Sequence, residues 1–357
     1  MKIFDRFLLK EFLKYLLAAL AFVVLIYFLF DLFQYIDNFI NHKTSLWIIG
    51  LYYFYLIPAY AGLLLPVGVI LSSFLVIGRL TRQRELSALK SAGVNVYRLF
   101  LPLLVFASLL VPISFLGNEF VTIPANIKNE DVRIYKIDKR QRPGYQVRNN
   151  FFYYGEDGRT FYIRYYESKK GLLRNFVIWE FDANRQIRRR YDVAEAVFER
   201  NRWRARDVTE REFRPAEQLT HYNSLVLPLK EKPGDFARRD KDISEMNFIE
   251  LFNYIKKMQR AGERVTRELV EFHYRFSYPF VGLIVLLLAL PLASSLRRGG
   301  VMLGLGLGLL FSFSYWGAIQ TTKAFGVGGI LNPGFAAWLP NIFFGALAIY
   351  FLTKVER

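Results

Sequence analysis

The segment with the most evident capacity for interaction chemistry is Arg79–Gly93, which reads RLTRQRELSALKSAG. Its composition favours a helix, with Gly93 as the stop and an apolar stripe of Leu86 and Leu89 beside Ala92. Arg82, Arg84, Glu85 and Lys90 fill the other positions. Two readings stay open. The plainer one is a cationic connector lying on the inner leaflet. The functional one is a short cytoplasmic helix that docks on another protein, where one acid among basic neighbours would meet a partner arginine.

Other candidates are sparser. Asp31 and Asp37 lie toward the far end of the first apolar run, with His42 and Lys43 just beyond. An acid inside a membrane points to ion coupling or substrate contact, although solvation is cheap near the outer interface. Pro58 and Pro66 would kink the second run, as part of a gate or as kinks that neighbouring helices satisfy. Gly304-Leu305-Gly306-Leu307-Gly308 lacks a preceding strand and a Lys-Ser/Thr, so small residues that let helices approach explain it better than nucleotide binding. No Walker-type sequence occurs, so any ATP would be hydrolysed by another subunit. The chain has no cysteine and only His42, His221 and His273, which excludes disulfides and thiolate sites and is a poor basis for a metal centre. No nucleophile–base–orienter set is visible, and the acids between the apolar runs alternate with arginines as a solvated face would. Many of the basic residues behind the formal charge of +17 flank apolar runs, and no basic motif matches a nucleic-acid docking geometry.

The elements that position these residues follow from solvation. A hydrocarbon core about 30 Å thick takes about 20 apolar residues as helix. Six runs qualify: about 12–33, 46–77, 96–116, 278–296, 301–321 and 335–352. Ala19-Leu20-Ala21 offers a small-residue cleavage pattern, but the apolar run continues past it, so the first span is expected to stay uncleaved. Basic residues cluster before the first run (Lys2, Arg6, Lys10, Lys14), between the second and third (Arg79, Arg82, Arg84, Lys90), between the fourth and fifth (Arg297, Arg298) and after the sixth (Lys354, Arg357). The alternate loops carry few. The positive-inside rule then puts both termini in the cytoplasm and the large insert outside.

Within the insert, 150–154, 160–167, 173–181, 192–199 and 203–209 read as strands, with turns at Glu156-Asp157-Gly158, Asp182-Ala183-Asn184 and Arg200-Asn201-Arg202. Residues 244–260 alternate at helical period, with Gly262 as a stop, and lead back toward the membrane. The expected fold is thus a membrane α-helical protein with six transmembrane helices, three and three, around an extracytoplasmic all-β sandwich or jellyroll-like domain. The expected domains are 1–117 with the cytoplasmic helix at about 79–93, then 118–268, then 269–357.

The chain resembles the LptF/LptG family, the permease subunits of the lipopolysaccharide export ABC transporter. The resemblance rests on Phe4-Asp5-Arg6-Phe7, Pro58 and Pro66, Arg84-Glu85-Leu86 with Ser91-Ala92-Gly93, Asn118-Glu119, and Pro124-Ala125-Asn126. It continues through Arg275, Pro279 and Pro291, then Asn332-Pro333 and Trp338-Leu339-Pro340-Asn341. The opening motif leans toward the LptG branch. The resemblance implies a periplasmic β-jellyroll and an inner-membrane permease that is not itself an enzyme and binds no cofactor. It also implies partners: a cytoplasmic ABC ATPase dimer that uses ATP, a paralogous permease, a single-span periplasmic bridge protein and lipopolysaccharide. The loop becomes the coupling helix, with Arg82, Arg84, Glu85, Leu86 and Leu89 at the ATPase. Glycolipid would enter between spans one and five and rise into the jellyroll, along a path for which Asp31, Asp37, Lys43, Phe161 and Trp179 are candidates. Asp31 and Asp37 occupy a stretch where some members carry lysines. Aromatics such as Phe161 and Trp179 would also suit an ordinary sandwich core. The rival reading is an ABC-type mechanotransmission protein or sensor, whose outer domain binds protein rather than lipid.

Overall fold

The computed structural model describes residues 3–139, 147–155, 159–182, 186–213, 217–237, 242–260, 263–295 and 300–354. The expected turns at Glu156-Asp157-Gly158 and Ala183-Asn184, the stop at Gly262 and the cations Lys2, Arg297, Arg298 and Arg357 lie outside the described residues. Two compact units are present: residues 1–137 with 266–357, and residues 138–265.

The first unit is helical. Helices α1 (Ile3–Asn41), α2 (Leu46–Arg82), α3 (Glu85–Ser91) and α4 (Val96–Gly117) form its first half. α8 (Thr266–Ser277), α9 (Phe280–Ser295), α10 (Gly300–Val327) and α11 (Pro333–Thr353) form its second. Among the described residues, α1, α2, the continuous helix Val96–Ile137 and α11 are long and apolar enough to cross a membrane. The α8–α9 pair, bent by 50°, is a fifth candidate if taken as one span. α10, with 28 residues and Lys323 as its one charged side chain, has the length of a sixth. The bend falls at Pro279, whose ring and missing N–H interrupt the helix between Ser277 and Phe280.

α2 is the hub, packed on α1, α9 and α10. Its buried stripe includes Val69, Ile70, Phe74 and Ile77, and meets Leu8, Phe12, Leu16, Leu286, Tyr315 and Phe344 in one core. Of the glycine run in α10, Gly308 lies against α2, where an added Cβ would come within 3.2 Å of the Phe74 ring. A Cβ added at Gly306 would meet nothing within 4 Å, so close helix approach accounts for part of the run.

The chain does not leave helix after Gly117. A π-helical turn at Asn118–Thr122, helix α5 (Ile123–Asp131) and a second π turn at Val132–Ile137 prolong α4. Asn129 Nδ2 donates to the Tyr52 carbonyl at 2.7 Å, and Val132 and Ile137 are buried against Phe39 and Tyr52. Residues 118–137, polar enough to read as part of the insert, therefore belong with the helical unit.

The second unit holds one six-stranded antiparallel sheet: β1 (Val147–Tyr154), β2 (Thr160–Glu167), β3 (Leu172–Phe181), β4 (Ile187–Glu199), β5 (Arg202–Glu212) and β6 (Gln218–Leu227). Every pairing joins sequence neighbours, so the described strands form a meander. The all-β character stands. The crossovers of a complete jellyroll, which would pair strands distant in sequence, are not among these pairings. The β4–β5 turn is tight: Arg200 and Asn201 both take positive φ (49° and 63°) between the paired Glu199 and Arg202. Phe236, from the short helix α6 (Pro233–Ala237), contacts the rings of Phe161 and Tyr166 on β2 and Trp203 on β5, at 5.6–5.9 Å between centroids. A flat sheet would hold β2 and β5 about 14 Å apart, so the sheet curls around this plug and closes its core. An amphipathic helix, α7 (Phe248–Arg260), follows.

Candidate functional site

The expected cytoplasmic helix is shorter than the segment that suggested it. α2 runs on to Arg82, Arg84 breaks it in a left-handed conformation (φ 60°), and α3 spans Glu85–Ser91. Gly93, at φ +80°, ends the turn that follows. Glu85 stands in the first turn of α3, where the helix dipole favours an anion. Arg82, Arg84 and Glu85 are exposed, while Leu86 is 5% exposed and sits in the helical core. Leu89 packs against the same core. Leu86 and Leu89, expected at the ATPase, thus lie against their own bundle, where on seven residues the apolar stripe anchors the helix, and the outward lip is charged. Arg79 pairs with Glu11 at 3.0 Å, and Arg98 at the start of α4 pairs with Asp5 at 2.8 Å. The opening motif thus braces the loop, a pairing across 93 positions that no local pattern displays.

Further along the unit, α1, α2, α9 and α10 line an apolar cavity of about 220 Å³ that is open on the side of Phe313 and Trp316, both exposed. Tyr27, Pro66, Tyr278, Val285, Ser312 and Trp316 are among its walls. Pro66 has no N–H for the Gly62 carbonyl one turn back. The Tyr278 hydroxyl donates to the neighbouring Leu63 carbonyl at 2.9 Å and lies 3.4 Å from that of Gly62. Tyr315 donates to Asn341 Oδ1 at 2.6 Å, and Asn341 Nδ2 donates to the Ser277 carbonyl at 2.7 Å, capping the chain where Pro279 breaks it. Pro66, Pro279 and Asn341, far apart in sequence, are therefore parts of one construction. Ser312 Oγ, buried in the wall, has no hydrogen-bond partner among the described residues.

Asp31 is 8% exposed and accepts a hydrogen bond from the Tyr53 hydroxyl at 3.0 Å. Beside it Tyr27 donates to Tyr60 at 3.0 Å, their rings 4.0 Å apart. Asp37 and Lys43 are exposed, and Lys43 lies in the turn after α1. The structure thus separates Asp31, held between α1 and α2, from the other two.

Arg275 and Glu119 pair at 3.5 Å with side chains 5% and 4% exposed. Glu119 sits on the π turn inside the continuous helix Val96–Ile137, and Arg275 near the break between α8 and α9. π turns are frequent where a helix must re-aim a functional side chain.

In the sheet, Phe161 and Trp179 do not share a face. Phe161 opposes Tyr153 and Ile178 and is wholly buried under Phe236, whereas Trp179 opposes Thr160. Alternation sends Trp179 to the other face, where its ring stacks with Phe152, itself 48% exposed. Phe161 is a core residue here, because the curled sheet leaves no open space beside it.

The model for the lipopolysaccharide export system permease LptF/LptG matches residues 6–354. The chain belongs to the LptF/LptG family. It is accordingly a lipopolysaccharide transport permease of the inner membrane, working with partners in an export complex, and not an enzyme. The matched range spans both helical halves and the β insert. No curated protein matches the chain in sequence. Within an LptF/LptG permease, the charged lip of α3 and the cavity beside α1 and α10 are two places where the geometry offers something to a partner or a lipid.

Proposed function

We propose that the chain is one permease of an ATP-driven exporter that extracts lipopolysaccharide from the outer leaflet of the inner membrane and hands it to a periplasmic bridge. The cavity carries this reading. It is larger than the roughly 150 Å³ apolar cavity that accepts a benzene, and it lies between spans one and five, with room for a length of acyl chain. Withdrawing a lipid from the bilayer costs about 0.8 kcal/mol for each CH₂ that loses its apolar surroundings. An apolar chamber offsets that cost locally, and ATP hydrolysed by a separate cytoplasmic dimer supplies the rest. That dimer docks on Arg82, Arg84 and Glu85, whose exposure and mixed charge suit a partner arginine and carboxylate. A paralogous permease completes the transmembrane unit. Both termini face the cytoplasm, the β domain faces the periplasm, and a single-span bridge protein receives the lipid there.

The assembled exporter in proteoliposomes is expected to transfer lipopolysaccharide to a soluble acceptor only with ATP. Hydrolysis that proceeds normally with no transfer would favour the mechanotransmission or sensor reading instead.

A further inference from the structure

The wall of the cavity holds few polar atoms, and most of them are engaged. Three tyrosines line it, and each hydroxyl is used: Tyr27 donates to Tyr60 at 3.0 Å, Tyr278 to the Leu63 carbonyl at 2.9 Å and Tyr315 to Asn341 Oδ1 at 2.6 Å. Beyond the Trp316 indole, the rest of the wall is aliphatic side chains and Phe313, with one exception. Ser312 is 7% exposed, and its Oγ has no hydrogen-bond partner among the described residues. A serine inside a helix commonly donates to a carbonyl three or four residues back. Ser72, Ser73 and Ser277 do so within their own helices, and Thr322 does so on α10 itself. Ser312 does not. A buried hydroxyl left unpaired is costly, and each one in a packed structure calls for a partner. The cavity opens beside Phe313 and Trp316, and Ser312 precedes Trp316 by about one turn of α10.

We infer that Ser312 selects an acyl chain that carries an oxygen function along its length, a hydroxyl or an ester, over a plain hydrocarbon chain. The inference rests on the reading that the cavity holds lipid, and adds which chains it prefers. Leu64, Val285, Leu309 and Phe313 present only carbon to an occupant, and such walls discriminate weakly between chains. A hydroxyl discriminates by pairing. It donates to an ester carbonyl, and it both donates to and accepts from an alcohol. One staggered torsion sets its direction, so Oγ turns toward the occupant without any movement of the helix. A plain chain leaves the serine unpaired. An oxygen-bearing chain pairs it, and its own polar group gains a partner that the apolar walls do not supply. Both effects favour the same ligand. The preference is expected to be about fivefold, the worth of one neutral hydrogen bond.

The test uses the full-length chain in detergent micelles, with p-benzoyl-phenylalanine in place of Phe313 in the cavity wall. Irradiation with tritiated myristate labels the protein, and unlabelled myristate or positional isomers of hydroxymyristate compete. The quantity read is the ratio of the half-inhibiting concentrations of plain and hydroxylated chain. For at least one isomer this ratio should be about fivefold higher with Ser312 present than in Ser312→Ala. Comparing ratios between the two proteins cancels the different partition of the acids into micelles. Ser312→Thr, which keeps the hydroxyl, should keep the preference. Ratios that Ser312→Ala leaves unchanged for every isomer would overturn the inference, and suppression of labelling by both kinds of chain would then leave the lipid reading of the cavity standing. Labelling that no chain suppresses would overturn that underlying reading, and this inference with it.

Discussion

Glu119 and Arg275 come from opposite halves of the helical unit and meet almost wholly out of solvent. Burying two charges yields little net stability, but stranding one of them is costly, about 3–5 kcal/mol. Arg275→Met should therefore lower the thermal unfolding midpoint markedly, while Arg275→Met with Glu119→Gln should recover much of the loss. A single variant that unfolds like the native protein in a detergent melt would show that the pair carries no such energy. Glu85 lies at the other extreme, exposed at the head of a seven-residue helix. Glu85→Ala should leave membrane insertion intact and weaken copurification of the ATPase about tenfold, a change of about 1.4 kcal/mol. Undiminished association would remove Glu85 from the docking surface. The type and location of both residues are visible in the sequence. Their partners are not, because a contact between positions 119 and 275 leaves no local trace, and neither does the one between 5 and 98.

At the scale of elements, legibility followed how strongly solvent constrains the chain. The apolar runs are readable because the bilayer forbids unpaired backbone polar groups, and β1 to β5 because one face alternates toward the core. β6 escapes this logic: Gln218–Leu227 is exposed along most of its length and buries only Leu227, so nothing alternates. The continuation of α4 through Ile137 escapes it too, since Asn118, Pro124 and Asn129 read as a loop until Tyr52 and Phe39 are there to pack against. Apolar periodicity in 79–93 located α3 but not its direction, because a stripe can face a partner or its own bundle equally well. The curl of the sheet has its own consequence. Tyr191 is buried and its hydroxyl is held by Glu210 at 3.0 Å, which pushes its pKa from about 10 up to about 12, burial being the larger cause. Below pH 10 both folded and unfolded chains keep the proton, and its contribution is complete. Between pH 10 and 12 the unfolded chain loses it first, so stability should fall across that window. Denaturant unfolding at pH 9 and 11 checks this, and Tyr191→Phe should flatten that part of the decline.

At the scale of the molecule, the two units divide the labour. The helical unit supplies a cavity and a charged lip, and the β unit supplies an open, curled meander sheet. Pro66 leaves the Gly62 carbonyl of the continuous α2 without its helical donor, and Pro279 breaks the chain between α8 and α9; Tyr278 and Asn341 donate to the backbone at these two points, and Pro66 and Tyr278 both line the cavity. The construction explains why an apolar cavity persists in a well-packed bundle: the helices around it cannot close without losing those bonds. The central claim is that glycolipid occupies this chamber, and a photocrosslinker inside it tests that claim most directly. Trp316 lines the cavity, and p-benzoyl-phenylalanine in its place preserves an aromatic side chain. In the complete exporter, irradiation should yield a lipopolysaccharide adduct that declines once ATP turns over. Adducts formed only with phospholipid or protein, or a lipopolysaccharide adduct indifferent to ATP, would contradict the account.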